Sequence, residues 1–178
     1  KHPDRNALIW VSTEVDKEIV YTFAELQAEV ERMAAILKSL GVKKGDRVLV
    51  YMPMIAEAAF AILACARIGA IHSVVFGGFA AASLATRIDD ARPKLMVTSD
   101  AGMRGGKPVP YKHLVDEAIR LAANPPAKVI IVNRGLDPAM AVVTGRDLDY
   151  ATLRAGCMDA QVPCAWLESS EPSYILYT

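Results

Sequence analysis

The stretch VLVYMPMIAEAAFAILACARIGAIHSVVFGGFAAASLATRIDDARPKLMVT, residues 48–98, decides the fold. Val48–Tyr51 is a compact apolar run, and beyond Pro53 a helix is predicted from about Ile55 to Ile68. That helix is apolar around most of its circumference, as a buried helix must be. Ile71–Phe76 reads as a second strand, Ala81–Ala91 as a helix ended by Pro93, and Leu95–Thr98 as a third strand. Strands that are apolar on both faces, alternating with helices, are buried most economically as parallel strands joined by crossover helices. The expected fold is therefore α/β, a doubly wound and mostly parallel sheet flanked by helices. Ligands of such sheets gather at the carboxyl ends of the strands. The glycine-rich loops predicted at those ends are Phe76–Ala80 and Ser99–Pro110.

Upstream, Thr22 with Glu25 three residues later has the pattern of a capping box. Phe23, Leu26, Val30, Met33, Ala34, Leu37 and Leu40 then recur at helical spacing until Gly41. Ala7–Val11 and Ile19–Thr22, short and rich in branched residues, suit a strand pair. Downstream, Leu114, Val115, Ala118, Ile119 and Ala122 share one face of a helix that leads to a strand at Lys128–Val132. From Asn133 the pattern weakens, punctuated by Gly135, Pro138 and Gly145, with one apolar run at Met140–Val143 and a single helical turn at Tyr150–Arg154. Few apolar residues tie Asn133–Gln161 down, so this stretch is expected to be the more mobile one. Neither a repeat nor a linker interrupts the chain.

With 178 residues and 53% hydrophobic content, the chain is long enough to bury a sizeable core. Its 20 basic and 20 acidic residues cancel, which removes any overall field toward nucleic acid or an acidic membrane, so an anion site has to be local. The longest apolar segment, Ile55–Ile71, is broken by Glu57 and Arg67, and Lys1–Arg5 has no signal-peptide core. Neither a membrane span nor an export signal is expected. Three cysteines, Cys65, Cys157 and Cys164, lack paired spacing, which fits a reducing cytoplasm.

Arg104-Gly105-Gly106-Lys107 sets two cations around a glycine pair, after a predicted strand and before a helix. Glycines admit a ligand close to the backbone, and the two cations can grip a phosphate from two sides; a solvated turn with ordinary surface cations is the plainer reading. It is no Walker loop, since Ala101 and Pro108 stand where that pattern needs Gly and Ser or Thr. Phe76-Gly77-Gly78-Phe79 is a tight turn flanked by rings, which alone is as consistent with packing as with binding. His72 and Ser73 are adjacent, but neighbours on a strand point to opposite faces, so a Ser/His pair is not expected. His113 sits on a predicted helix without a partner at metal spacing, His2 lies in a terminus prone to fraying, and no metal site is expected. Asp147, Asp149, Glu168, Trp10 and Trp166 have no spacing that separates a site from a solvated face or a packing anchor.

Three stretches, Ser73–Ala80, Arg104–Lys107 and Val162–Ser169, together with the closing run Tyr174–Thr178, resemble short-chain acyl-CoA synthetases of the adenylate-forming superfamily. Gly145–Tyr150 and Val162–Pro172 resemble the propionyl-CoA branch more than the acetyl-CoA branch. The resemblance implies that residues 1–178 are an incomplete segment of the large N-terminal adenylate-forming domain, ending just before the phosphate loop. It implies a parent ligase that takes propionate or acetate, ATP with Mg2+, and CoA. The CoA site would include Arg104, Gly105, Gly106 and Lys107, with Phe76, Gly77 and Gly78 toward the nucleotide end. Many acetate-specific relatives have Arg at the second basic position, so Lys107 keeps the charge there but gives up a bidentate fork. No catalytic residue and no metal site falls in this segment, and the ATP and Mg2+ sites would lie outside it. The segment alone would then be inactive, with self-association through its exposed truncated sheet. A noncatalytic nucleotide-binding module, or a fragment that only folds, would share the doubly wound pattern and the glycine loops.

Overall fold

A computed structural model of the chain describes residues 2–12 and 17–177. The chain opens with an antiparallel hairpin, β1 (Asn6–Ser12) and β2 (Lys17–Thr22), followed directly by α1 (Phe23–Ser39). The α/β succession is β3 (Arg47–Tyr51), α2 (Ala56–Ile68), β4 (Ile71–Val74), α3 (Ala81–Ala91) and β5 (Leu95–Ser99). A small hairpin, β6 (Gly102–Arg104) and β7 (Lys107–Val109), precedes α4 (Tyr111–Leu121) and β8 (Val129–Val132). The chain continues through β9 (Asp147–Asp149), α5 (Tyr150–Ala155) and β10 (Tyr174–Ile175). Six strands form one sheet in the order β10-β4-β3-β5-β8-β9, and every neighbouring pair is parallel.

Strand alternation sorts the core into two layers. Val48 and Val50, Leu95 and Val97, Ile130 and Val132 face α1 and α2. Leu49 and Tyr51, Met96, Val129 and Ile131 face α3 and α4. The doubly wound parallel sheet expected from residues 48–98 is thus the observed one. Thr22 caps α1 with both arms of the capping box in place, its hydroxyl accepting from the Glu25 N–H at 3.2 Å while its own N–H donates to the Glu25 carboxylate at 2.8 Å. Helix α3 stops at Arg92, which takes a left-handed φ of 46°, ahead of Pro93 with its missing N–H. Several boundaries shift by one or two residues. Strand β4 ends at Val74 rather than Phe76 because the glycine turn bends the chain early, and β8 begins one residue late, at Val129. Strand β10 realises the start of the closing run, whose last residue, Thr178, lies outside the described residues.

After Asn133 the chain is held by charge where apolar side chains are scarce. Asp100, fully buried at the end of β5, accepts from the backbone N–H groups of Arg134 (3.0 Å), Leu136 (2.7 Å) and Asp137 (3.2 Å). Lys112, 1% exposed at the start of α4, donates to Asp116 at 2.7 Å and meets Asp147 at 2.9 Å. Arg146 binds the same two carboxylates, reaching Asp147 at 2.6 Å. Two cations and two anions therefore pin β9 onto the sheet edge. Arg154 of α5 forks onto the Glu29 carboxylate of α1.

Burial alone would raise the Asp147 carboxyl. Hydrogen bonds from Arg146, the Val143 N–H and Lys112 outweigh it and hold the group below its ordinary range. Glu29 is likewise lowered, with burial outweighed by Arg154 and Arg32. Both carboxyls thus titrate lower in the folded chain than in the unfolded one, so the stability they contribute is complete above the unfolded carboxylate range, about pH 4, and is lost as pH falls through their folded values. Acid titration followed by circular dichroism should show unfolding steepening below about pH 4. Asp147→Asn should flatten that acid limb, and an unaltered limb would remove Asp147 from this account.

Candidate functional site

Strand β3 lies between β4 and β5, yet the chain visits β3, β4 and β5 in that order, reversing direction across the sheet. Reversals of this kind leave a crevice at the carboxyl ends of the strands, because successive connections depart to opposite sides. A cleft of about 280 Å³ opens there. Its walls are Pro53, Met54 and Ile55 after β3, Phe76–Gly78 after β4, Met103, Arg104, Val109 and Tyr111 after β5, and Trp10–Ser12 from the first hairpin.

The turn after β4 is set by contacts beneath it. Phe79 N–H donates to Phe76 O at 3.1 Å, closing the turn. Burial, with a lesser push from Tyr111, raises the Tyr51 phenol to about 12, so it stays protonated and donates to Phe79 O at 3.0 Å. Gly77 is required by close approach: a Cβ there would stand 1.7 Å from the Tyr111 hydroxyl. At Gly78 it would meet the Phe76 ring at 2.5 Å and the Arg104 guanidinium at 3.1 Å. Above the turn, Phe76 is 69% exposed and meets Phe79 edge-on at 6.2 Å, while Arg87 stacks over Phe79 at 4.3 Å.

Arg104-Gly105-Gly106-Lys107, read from sequence as a loop, is the two-residue turn of the hairpin β6–β7, with Arg104 directly opposite Lys107. Gly105 and Gly106 take φ of 57° and 75°, the pair of positive values that a tight hairpin turn imposes. Arg104 leans back into the cleft wall, whereas Gly105, Gly106 and Lys107 form the exposed tip and are not part of that wall. Among the described residues, no carboxylate engages either cation. The fold thus brings Phe76, Gly77, Gly78 and Arg104 together and leaves Lys107 beside them across the ladder.

A guanidinium at the rim of a slot with an exposed ring and a bare glycine backbone suits an anionic ligand that carries a flat apolar group. Among the described residues, no His, Cys, Asp, Glu or Lys lines the cleft. His72 and Ser73 lie on β4 with the His72 Nδ1 and Ser73 Oγ each without a partner, so they do not form a pair. His72 stacks on Tyr174 at 5.7 Å, and burial lowers its pKa. Cys65 is buried and its thiol is pushed up to about 12, which leaves it unreactive at neutral pH. Among the described residues no cluster of three His, Cys, Asp or Glu is placed to hold a metal ion, and no helix is long and apolar enough to cross a membrane.

Volume alone does not pick the site. A groove of about 860 Å³ runs between the N-terminal segment, α1 and α2, lined by Phe23, Leu26, Val30, Leu63 and Ala66 with Arg5 and Arg67. It lies away from the strand ends and has no glycine turn. The smaller cleft has the converging loops. Sequence reasoning missed three of its supports: Tyr51, Tyr111 and Trp10, whose indole N–H donates to Met54 O at 2.8 Å. Tyr51 is a strand residue like its neighbours. Tyr111 gives one local signal, an aromatic directly after Pro110 at a helix start.

Residues 1–178, the whole chain, match the family described as AMP-binding enzyme. Over all 178 residues the chain is 63% identical to the propionate–CoA ligase of Salmonella typhimurium and 60% identical to that of Escherichia coli K12, in each case spanning 28% of the relative's length. Among solved structures, acetoacetyl-CoA synthetase from Streptomyces lividans superposes with a TM-score of 0.85 at 32% identity, covering 99% of this chain and 26% of that one. The doubly wound sheet with its switch-point cleft and the match along the full sequence agree: this chain belongs to the AMP-binding enzyme family.

Proposed function

We propose that residues 1–178 are a segment of the N-terminal adenylate-forming domain of a cytoplasmic, AMP-forming acid–thiol ligase that acts on propionate or acetate. In that reaction a carboxylate oxygen attacks the α-phosphorus of ATP and pyrophosphate leaves. The CoA thiolate then attacks the acyl carbon of the adenylate and AMP departs. The adenylate turns a poor leaving group into a good one, and the thioester keeps the activation. In this reading the Mg2+ and ATP sites belong to other parts of the parent protein.

This segment's part is to receive CoA. Arg104 and Lys107 grip a phosphate from the two arms of the β6–β7 hairpin, Gly105 and Gly106 keep the tip open, and Phe76, Gly77 and Gly78 meet the nucleotide end. The observation that carries the reading is the convergence of Arg104 on the Phe76–Gly78 turn in a switch-point cleft, within a chain matched to this family over its whole length. Propionate is preferred to acetate because relatives at 63% and 60% identity are propionate–CoA ligases. The exposed β10 edge, with Tyr174 and Leu176 open to solvent, would let the isolated segment self-associate.

The test is release of pyrophosphate. The parent polypeptide given propionate, ATP, Mg2+ and CoA should release it faster than with acetate. The 178-residue chain under the same conditions should release none above a protein-free blank, since it offers a binding wall without a reacting centre. Turnover by the short chain, or a parent indifferent to both acids, would overturn the proposal.

A further inference from the structure

Tyr111 touches both halves of the cleft. It is the first residue of α4 and 8% exposed, and its hydroxyl end fills the space where a Cβ on Gly77 would sit. Its opposite ring edge fills the corresponding space at Gly102, where a Cβ would stand 2.7 Å from the ring and 3.0 Å from Pro53. Gly77 and Gly102 follow β4 and β5 respectively, so one side chain abuts the exits of two central strands, and Pro53 after β3 lies on the other side of the Gly102 position. Behind it the Tyr51 ring packs at 5.0 Å, tilted by 41°, and the Tyr51 hydroxyl holds Phe79 O.

We propose that Tyr111 is a positioning residue for CoA. Its ring is a wedge whose width sets the separation between the Phe76–Gly78 turn and the hairpin bearing Arg104. A packed interior transmits such a spacing because a neighbour cannot close a gap without moving backbone. Gly77 and Gly102 give up their side chains so that the wedge can seat against backbone on both sides, and Val115 and Ala118 anchor α4 against the sheet behind it. Tyr111 acts through Arg104 and the turn. The inference rests on the CoA reading of the cleft.

The experiment compares Tyr111→Phe, Tyr111→Leu and Arg104→Ala, alone and combined, in the full-length parent. The two readouts are KM for CoA and propionate-dependent exchange of pyrophosphate into ATP. Tyr111→Leu, which keeps burial but narrows the wedge, should raise KM for CoA about fivefold and leave the exchange within about twofold. Tyr111→Phe keeps the ring's width and should stay within about twofold in both. On top of Arg104→Ala, Tyr111→Leu should add less than about twofold, because two changes acting through one contact are not additive. If Arg104→Ala leaves KM for CoA unmoved, the CoA reading itself fails. If Arg104→Ala raises it but Tyr111→Leu does not, or the two effects multiply in full, only the wedge fails. Equal loss of exchange and thioester formation by Tyr111→Leu makes the residue structural, and a Phe variant as damaged as the Leu variant assigns the effect to the hydroxyl; either overturns the proposal. Should Tyr111→Leu not fold, Tyr51→Phe releases the turn from the same cluster and should raise KM for CoA about threefold with exchange retained; no change there overturns the proposal as well.

Discussion

Replacing Arg104 by Ala in the parent enzyme should lower kcat/KM for CoA about tenfold to a hundredfold while adenylation, read as propionate-dependent pyrophosphate exchange, stays near wild type. In the proposed reaction CoA enters only in the second half-reaction, so a residue that meets its phosphate leaves the first untouched. One charge-assisted hydrogen bond contributes about 1.5 to 3 kcal/mol, which sets the size of the loss. The guanidinium is exposed and, among the described residues, engaged by no carboxylate, so its removal opens no cavity. Lys107→Ala should act in the same direction but more weakly, because Lys107 sits on the hairpin tip outside the cleft wall and its ammonium grips less directionally. Dephospho-CoA would erase most of the difference if the contact is to the 3′-phosphate. An Arg104 variant that loses adenylation as severely as thioester formation would sink the assignment.

The second large effect is on stability. Asp147→Ala should cost about 3 to 5 kcal/mol, a substantial share of the roughly 5 to 15 kcal/mol by which a domain is stable. The Asp147 side chain is fully buried and receives Lys112, Arg146 and the Val143 N–H at 2.8 Å. Without it, Lys112 remains buried in a cluster with one cation too many. Replacing both residues, Lys112→Met with Asp147→Leu, leaves Arg146 and Asp116 as a neutral pair. That double variant should recover most of the loss, since apolar residues of similar volume replace buried ion pairs at little cost. The urea midpoint at constant slope measures both. A single variant within about 1 kcal/mol of wild type, or a double variant no better than the single, would contradict this account.

These two residues also mark what was legible in the sequence. Local chemistry was: the capping box at Thr22, the apolar runs at Val48 and Leu95, and the stop before Pro93 each act within a few residues. They fix elements whose burial on both faces permits only a parallel sheet. The cleft could be anticipated in part, since Phe76–Gly78 and Arg104 lie in loops at strand ends. Arg104–Lys107 was legible as a glycine-rich turn but not as a hairpin, because its two strands are only three residues long and show too little alternation. Tyr111 and Trp10 take their places by contacts with distant loops, which spacing does not encode. The same is true of Asp147 and Lys112. Strand β9 carries one apolar residue, Leu148, so periodicity is silent where an ion pair does the holding.

The order of strands also constrains how the protein is made. Strand β10 pairs with β4 through Tyr174 and His72, partners separated by roughly a hundred residues. At roughly 5 to 20 residues per second, a ribosome needs on the order of five to twenty seconds to deliver that partner. Meanwhile β3 is already available, and β5 follows with its helix, so that part of the sheet can assemble first. Throughout this interval the nascent chain presents the open edge of β4, with Val74 exposed, as a template for any other extended segment. Slow translation between residues 75 and 173 would prolong that window, and a holdase chaperone that recognises unpaired apolar strand edges would have its natural target there.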